Sequence, residues 1–264
     1  MRLNIFSKYW KTAAMAAAGF IGDSPLFLLD YLIRFLRVAV LLSIWRMILT
    51  DRGVVSGMTL ASVLTYTLIA EAFAEQLSCR TELDITIWNG SIATRLLHPV
   101  NTFGEYAAET FGRWVFRFCT FSLPLLILSP LLGVNPLPPS VLETALFLLS
   151  LALAVSVGLA LDFIFAALMV SLELNVWATQ QVRSAVTILL SGALLPLALL
   201  PWGLGRIFEW LPFASMASAP LRIYTGTGEA LGLMALQALW CAILWPVAHL
   251  LWRTSRERMT SYGG

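Results

Sequence analysis

Apolar runs of about 20 residues recur along this chain, and they constrain its fold more than any other feature. A helical run of that length matches the hydrocarbon thickness of a bilayer. Charged residues make up only 12% of the 264 residues, whereas a soluble domain carries about 25%. The sequence also lacks the short alternating segments of a membrane β-barrel. We therefore predict an all-α, polytopic membrane protein.

Six spans account for these runs and form one membrane domain over residues 25–264. The fourth span is longer than a bilayer requires, which indicates that it tilts or projects beyond the membrane. Prolines, glycines and charged residues separate the runs, as expected where a chain turns at the membrane surface. The predicted spans are residues 26–49, 59–77, 114–132, 141–170, 185–200 and 230–252.

Residues 1–24 precede the first span and form a separate amphipathic element. Lys8 and Lys11 lie on a polar stripe at helical spacing, and Trp10 lies on the opposite, apolar stripe. This pattern is typical of a helix that lies on the membrane surface. The alternative is a signal peptide, which the alanine-rich and weakly hydrophobic residues 12–22 do not favour.

The basic residues decide the predicted orientation. Lysines and arginines concentrate in the segments that share one side of the membrane with both termini. Because positively charged segments stay in the cytoplasm, we predict that both termini are cytoplasmic. Residues 87–101 then lie on the cytoplasmic side, and residues 201–228 lie outside. The outer interval consists of short apolar pieces broken by Pro and Gly, which predicts half-helices that re-enter the outer leaflet.

The polar interval between the second and third spans contains one short amphipathic element, residues 87–101. Gly90 permits a backbone turn that other residues resist, and Ser91 can cap a short helix. Pro99 disfavours helical backbone at the residue before it, so we expect the helix to stop at His98.

One edge of this element is apolar. Ile92, Leu96 and Leu97 fall together at helical spacing, with Arg95 beside them. A short helix with a small apolar face suits docking into a groove on a partner, and an ordinary interfacial loop is the alternative. The candidate contact residues are Trp88, Asn89, Gly90, Ile92, Arg95, Leu96, Leu97, His98 and Pro99.

Ionisable side chains inside the predicted spans form a second set of candidates, because such groups are expensive in a bilayer and often functional. They would serve as a proton relay or line the path of a polar substrate. The structural alternative is that Asp30 pairs with Arg34 and that one of the glutamates pairs with Arg37 or Arg80. Asp162 is the hardest to explain, because no basic residue lies within two turns of it. The set is Asp30, Arg34, Arg37, Glu71, Glu75 and Asp162.

Enzymatic signatures are missing from the sequence. It contains neither a His-Glu-x-x-His pair nor a Gly-x-Ser-x-Gly elbow, and a phosphate loop needs a Gly-Lys-Ser/Thr that neither Lys8 nor Lys11 provides. Any ATP used by the protein would bind to another chain. The net charge of +2 gives no support for a nucleic-acid partner. The three cysteines have neither metal-ligand nor disulfide spacing.

The run Gly90-x-Ile-x-x-x-Leu-Leu-x-Pro99, between the second and third of six spans, resembles the membrane subunits of type-2 ATP-binding-cassette exporters. The chain is most similar to the compact bacterial branch of these permeases, and the resemblance covers nearly its whole length. The outer Leu211-Pro212-Phe213 and Pro220 are part of it. Trp88, Asn89 and His98 stand near positions where that family commonly has basic residues.

The resemblance implies a permease without its own ATPase site, multi-pass in a bacterial inner membrane. Two permease chains would enclose a path for a hydrophobic or amphipathic substrate, with a heterodimer favoured and a homodimer as the alternative. Separate ABC ATPase subunits would bind ATP and Mg and push on residues 87–101, the coupling helix, while this chain would bind no cofactor directly. The resemblance also implies an outer gate formed by Trp202, Leu211, Pro212, Phe213 and Pro220.

Two other functions stay open at this point. A proton-coupled secondary transporter would use Glu71, Glu75 and Asp162, but the span pattern shows no inverted repeat. A membrane enzyme or an assembly scaffold is the third alternative, and the sequence offers no convergent nucleophile or metal-binding set for the enzyme.

Overall fold

The computed structural model describes residues 5–19, 27–50, 54–98 and 101–262. The chain is mostly helical, as predicted. It also contains a hairpin that the all-α prediction missed, in which strands β1 (Val54–Val55) and β2 (Met58–Thr59) pair antiparallel. Ser56 and Gly57 both have positive φ angles and form its two-residue turn. Such a two-residue turn connects two antiparallel strands directly, which allows a hairpin in the short interval between the first two predicted spans.

The helices follow the predicted runs closely in most places. Thr59 caps α3, and its side-chain oxygen accepts a hydrogen bond from the Ser62 amide. Phe73 separates α3 from α4, which a prediction of one span over 59–77 did not anticipate. The helices up to the third predicted span are α1 (Ile5–Gly19), α2 (Phe27–Leu49), α3 (Leu60–Ala72), α4 (Ala74–Ser78), α5 (Leu83–Trp88), α6 (Ile92–Arg95) and α7 (Thr102–Arg117).

A π-helical turn, Phe118–Ser122, joins α7 to α8 (Leu123–Leu128), and a 3-10 turn, Ser129–Leu132, follows. Pro124 lies in the first turn of α8 and provides no amide hydrogen, which accounts for the local change in helical bonding. Later come α9 (Val141–Ser171), α10 (Val176–Ser191), α11 (Leu204–Phe208), α12 (Pro212–Met216), α13 (Ser218–Tyr224) and α14 (Ala230–Tyr262).

The fifth predicted span, residues 185–200, is wrong in its position. The helix there, α10, begins earlier because the Asn175 side chain caps it by accepting bonds from the Trp177 and Ala178 amides. It ends at Ser191 because Gly192 adopts a left-handed conformation, with φ of 77°. The apolar run therefore extends beyond the end of α10. Hydrophobicity alone does not show that the helix ends at Ser191.

Among the described residues, three helical stretches are long and apolar enough to cross a membrane: Thr102–Leu132, Val141–Ser171 and Ala230–Glu257. The helix α2 has 23 residues, but it contains Asp30, Arg34, Arg37 and Arg46. The helix α3 has 13 residues. The count of six spans therefore stays a prediction.

The helix α9 forms the centre of the fold, and α12, α13 and α14 pack against it. Small residues on α9 allow this close approach, because a membrane interior provides no hydrophobic drive between helices and contact depends on packing. Gly158 is the tightest point, since a Cβ there would lie 2.4 Å from the Cβ of Cys79. The buried small residues are Ala154, Gly158, Ala160, Ala166 and Ala167.

The N-terminal helix α1 lies along α7. An added Cβ on Gly112 would lie 2.0 Å from the Ala13 carbonyl oxygen, and one on Gly104 would meet the Tyr9 ring at 2.9 Å. Trp10 and Met15 are exposed on the other side of α1. This exposed apolar stripe is compatible with the surface location predicted for residues 1–24, which stays a prediction.

We expect Gly112→Ala to destabilise the protein by about 1–3 kcal/mol, because the new methyl group collides with backbone that cannot rotate away. Gly232→Ala is the matched control, since a Cβ there meets nothing closer than the Glu229 carboxylate at 3.5 Å. The measurement is the thermal unfolding midpoint of each variant in detergent. Equal midpoints for the two variants would contradict the packing of α1 on α7.

Candidate functional site

The segment between α4 and α7 contains α5 and α6, and we refer to its described residues 81–98 as the α5–α6 segment. Its turn is built by Asn89, whose Oδ1 accepts bonds from the Ser91 amide at 3.0 Å and the Ser91 hydroxyl at 2.7 Å. Gly90 has a φ of 77°. The prediction that the Ser91 side chain caps α6 is therefore wrong, because the Ser91 hydroxyl donates its hydrogen bond to Asn89. The helix ends at Arg95 rather than His98, and Pro99 lies outside the described residues.

The predicted apolar edge of this segment divides into an inner and an outer part. Ile92 is 6% exposed and packs with Leu83 and Phe103 in a buried cluster, against which Leu96 also packs. Leu97 is 83% exposed. The prediction of one shared edge is therefore wrong, because α6 is only four residues long and its helical periodicity does not extend to residue 97.

Arg95 and His98 face α7. Arg95 Nη1 lies 2.6 Å from Glu109 Oε1, and its guanidinium lies 4.8 Å from the centre of the Tyr106 ring. His98 Nδ1 lies 2.9 Å from Glu105 Oε1. Burial lowers the pKa of Arg95, but the hydrogen bond and charge of Glu109 outweigh it and the pKa is raised. These two candidate contact residues anchor the segment to the protein.

The exposed candidates are on the outside of the segment. Trp88 is 63% exposed, and Asn89 and Gly90 beside it are exposed as well. Trp88 and Leu97 are the two most exposed large apolar side chains of the segment, in which Ile85 is also 40% exposed. A rigid base with an apolar tip is the arrangement expected of a docking element.

A buried ion pair holds the start of the α5–α6 segment. The carboxylate of Asp162, on α9, contacts the guanidinium of Arg183, on α10, and both side chains are buried. Asp162 Oδ2 also accepts bonds from the amide, at 3.1 Å, and the hydroxyl of Thr81. Arg183 donates to the Cys79 carbonyl at 2.8 Å. Asp162 thus has a structural partner that the sequence did not indicate, because Arg183 lies on another helix.

The helix α10 makes two further contacts with α5. Gln180 Nε2 donates to Asp84 Oδ2 at 2.9 Å. The rings of Trp88 and Trp177 meet edge to face with 6.4 Å between their centres. The sequence analysis did not identify Arg183, Gln180 or Trp177 as contact residues. The one signal was that Asp162 has no basic residue nearby in its own span, which indicates a partner on another helix.

A cavity of about 610 Å³ lies between α2, the α3–α4 unit and α10. One wall has charged side chains, and the α10 wall has Thr187, Ile188 and Ser191. The remaining lining is mostly apolar, so the cavity combines ionic, hydroxyl and hydrophobic surface. Its charged lining residues are Asp30, Arg34, Arg37, Glu71 and Glu75.

The charged wall is an ion-pair network. Arg34 lies 3.0 Å from both Asp30 Oδ2 and Glu75 Oε1, so the expected pair of Asp30 with Arg34 is present. Arg37 contacts Glu71, again as the pairing alternative expects. Glu75 also contacts Arg117 on α7, a partner that the sequence analysis did not name.

The predicted gate residues differ in exposure and in the contacts they make. Pro220 is buried in α13, and Phe213 packs against the buried cluster that contains Met216. Trp202 is 91% exposed and has a left-handed φ of 58°. Leu211 and Pro212 form the start of α12. A salt bridge of 2.9 Å between Glu209 and Arg222 crosses this region. Their role as a gate stays a prediction.

Long apolar helices and a cavity with a charged wall are the features that this structure shares with membrane transport proteins. Residues 35–263 match the family described as ABC-2 family transporter protein. The chain therefore belongs to that family and is the permease of an ABC transporter, which confirms the resemblance found in the sequence. No curated protein and no solved structure matches the chain significantly.

Glu75 is the centre of the ion-pair network, so we expect Glu75→Gln to destabilise the protein by about 1–3 kcal/mol. The change leaves Arg34 and Arg117 without a shared carboxylate. Asp30→Asn is the control, because Asp30 is more exposed and its loss leaves Arg34 bonded to Glu75. Thermal unfolding in detergent measures both effects. A larger loss for Asp30→Asn would show that Glu75 does not hold this wall together.

Proposed function

We propose that this chain is the permease subunit of an ATP-driven exporter and that the α5–α6 segment receives the motion of a separate ATPase. ATP and Mg bind to that partner subunit, since this sequence has no phosphate loop. The observation that carries the proposal is the exposed pair Trp88 and Leu97 on a base fixed by buried contacts. Membership of the ABC-2 family supports it.

The α5–α6 segment has a buried, anchored part and an exposed part, and a contact that transmits force requires both. Exposed residues that bind a partner can transmit force only when the residues beneath them are held in place. Here Ile92, Arg95 and His98 hold the segment to the cluster around Phe103 and to α7. Large exposed apolar side chains provide much of the binding energy in protein interfaces. Trp88 and Leu97 are therefore the residues on which ATPase binding depends.

We further propose that two permease chains assemble in a bacterial inner membrane, as a heterodimer in preference to a homodimer, with both termini in the cytoplasm. One face of α2 supports such an assembly, because exposed apolar residues recur along it at helical spacing and one of them, Ile33, also lines the cavity. They are Leu29, Leu32, Ile33, Leu36, Val40, Ile44 and Met47.

The transported molecule is hydrophobic or amphipathic in this proposal. The cavity has apolar surface from Ile33, Ile188 and Leu194, together with the ion-pair network and the α10 hydroxyls. A proton-coupled transporter fits less well, since Glu71, Glu75 and Asp162 each contact an arginine. These contacts give each of the three carboxylates a structural role between helices, which the proton-relay alternative does not require.

We expect Trp88→Ala and Leu97→Asp to weaken ATPase binding by about tenfold or more, because each removes exposed apolar contact area from the tip. Membrane insertion should persist in both variants. Thermal stability should stay near the unmodified value for Leu97→Asp, whereas Trp88→Ala also removes the ring contact with Trp177. The measurement is the affinity of the purified ATPase for the permease in nanodiscs. Leu137→Asp is the control, since Leu137 is an exposed apolar residue in the turn before α9. Unchanged affinity in both tip variants would exclude this docking surface.

Filling the cavity tests the substrate proposal separately. Ile188→Trp places a large ring against the cavity wall, so we expect it to reduce export of fluorescent amphiphiles from proteoliposomes while ATPase binding persists. Ile127→Trp is the matched control on an exposed part of α8. The amphiphiles should differ only in headgroup charge. Equal export by Ile188→Trp and the control would contradict a path through this cavity.

A further inference from the structure

An exposed stripe runs along one face of α2. Its residues recur at intervals of three or four, the spacing that places side chains above one another on a helix. The first half of the stripe contains charged groups, and the second half is apolar. At 1.5 Å per residue the stripe extends about 25 Å, close to the thickness of the hydrocarbon core of a bilayer. This α2 stripe consists of Asp30, Ile33, Arg37, Val40, Ile44 and Met47.

The two halves of the α2 stripe border two different cavities. The charged half lines the cavity of about 610 Å³ described above. The apolar half lines a shallow groove of about 310 Å³ formed by residues of α2. Arg37 and Val40 are one turn apart, so on this helix the groove begins one turn beyond the cavity. An elongated ligand therefore has a charged surface and an apolar surface in line.

The charged wall of the cavity has no net charge, because its groups form ion pairs. Three carboxylates contact three guanidinium groups, and a ligand with a single net charge would add a charge that has no partner in this network. A ligand that carries one charge of each sign avoids this cost. The groups of the network belong to Asp30, Glu71, Glu75, Arg34, Arg37 and Arg117.

Asp30 and Arg37 are the accessible ends of this network. Their side chains are 57% and 56% exposed, whereas no other member is more than 29% exposed. Among the described residues, Asp30 is contacted only through Oδ2 and Arg37 only through Nη2. One carboxylate oxygen and several guanidinium N–H groups therefore remain for a ligand.

We propose that the α2 stripe binds a zwitterionic phospholipid, with its ammonium group at Asp30 and its phosphate at Arg37. One acyl chain lies along the apolar half of the stripe. Arginine pairs well with phosphate because its planar N–H groups match the phosphate oxygens. In the predicted orientation Asp30 is nearest the cytoplasmic end of α2 and the apolar half lies deeper. A lipid of the cytoplasmic leaflet has the same order from headgroup to chain.

This inference rests on the proposed function in taking the cavity as the substrate path, and it names the substrate as a lipid with an amine headgroup. The α2 face proposed above for the dimer includes the apolar half of the stripe, so the lipid lies at the edge of that contact. A neighbouring row of exposed residues, Leu29, Leu32 and Leu36, remains for the second permease chain.

Lipid binding to the purified full-length permease, without ATPase, tests the headgroup assignment. The four probes have identical fluorescent acyl chains: zwitterionic phosphatidylethanolamine, anionic phosphatidylglycerol, a cationic diacyl trimethylammonium lipid and an uncharged diacylglycerol glucoside. We expect phosphatidylethanolamine to bind about tenfold more tightly than the others, because only it makes charged contacts with both Asp30 and Arg37. Any other probe that binds as tightly as phosphatidylethanolamine would overturn the inference.

Asp30→Asn tests the ammonium contact. We expect it to weaken phosphatidylethanolamine binding about tenfold without weakening phosphatidylglycerol binding, because only the former loses a charged partner. The variant should stay folded, since Arg34 keeps its contact with Glu75. Asp30→Glu restores the carboxylate and should restore the preference. A preference for phosphatidylethanolamine that persists in Asp30→Asn would rule out the ammonium site.

Ile44→Trp tests the acyl-chain groove by placing a large ring in it. We expect phosphatidylethanolamine binding to weaken about tenfold, since part of the chain loses its apolar contact. Ile243→Trp is the matched control on α14, where the isoleucine is 44% exposed compared with 46% for Ile44. Equal affinities of these two variants would show that the chain does not lie along the stripe.

Export of the same four probes from proteoliposomes, with the ATPase and ATP, separates this inference from the proposed function. We expect phosphatidylethanolamine to be exported fastest and Asp30→Asn to slow its export. Export without headgroup preference would show that the bound lipid is not the substrate and would overturn the inference. Absence of ATP-driven export of every probe, with the binding preference intact, would contradict the proposed function and leave the lipid site supported.

Discussion

The contact between Asp162 and Arg183 organises much of this structure. Two charges removed from water are costly, and only a complete set of partners offsets that cost. Asp162 bonds to Thr81 and Arg183 bonds to the Cys79 carbonyl, so the requirement to satisfy both groups fixes three chain segments relative to one another. The start of the α5–α6 segment is therefore positioned by the membrane core and not only by its covalent connections.

The same segment shows how a short element can be rigid and still available for binding. Ile92 is buried, Arg95 and His98 pair with acids on α7, and Trp88 and Leu97 remain in solvent. The segment thus combines residues that are anchored internally with residues that stay exposed, and Trp88 is both exposed and in contact with Trp177 of α10. Under the proposed function, these exposed residues are the contact through which a partner ATPase acts on this ABC-2 family permease.

The sequence predicted the helical class and four of the helices closely, because the length and separation of an apolar run are local properties. It placed the fifth helix wrongly because the stop depends on the backbone of Gly192 and not on hydrophobicity. It found the pair of Asp30 with Arg34. It also expected one of two glutamates to pair with Arg37 or Arg80, and in the structure Glu71 pairs with Arg37. It could not find Arg183 for Asp162, since their pairing depends on how α9 packs against α10 and no spacing rule links the two residues.

The close packing of α1 on α7 has a consequence for biogenesis. The backbone of Ala13 lies so close to Gly112 that a side chain of any other residue type would collide with it. The two positions are far apart in the chain. During synthesis α1 leaves the ribosome well before α7 exists. Until α7 has been synthesised, α1 lacks this packing surface and has to lie against lipid or another protein.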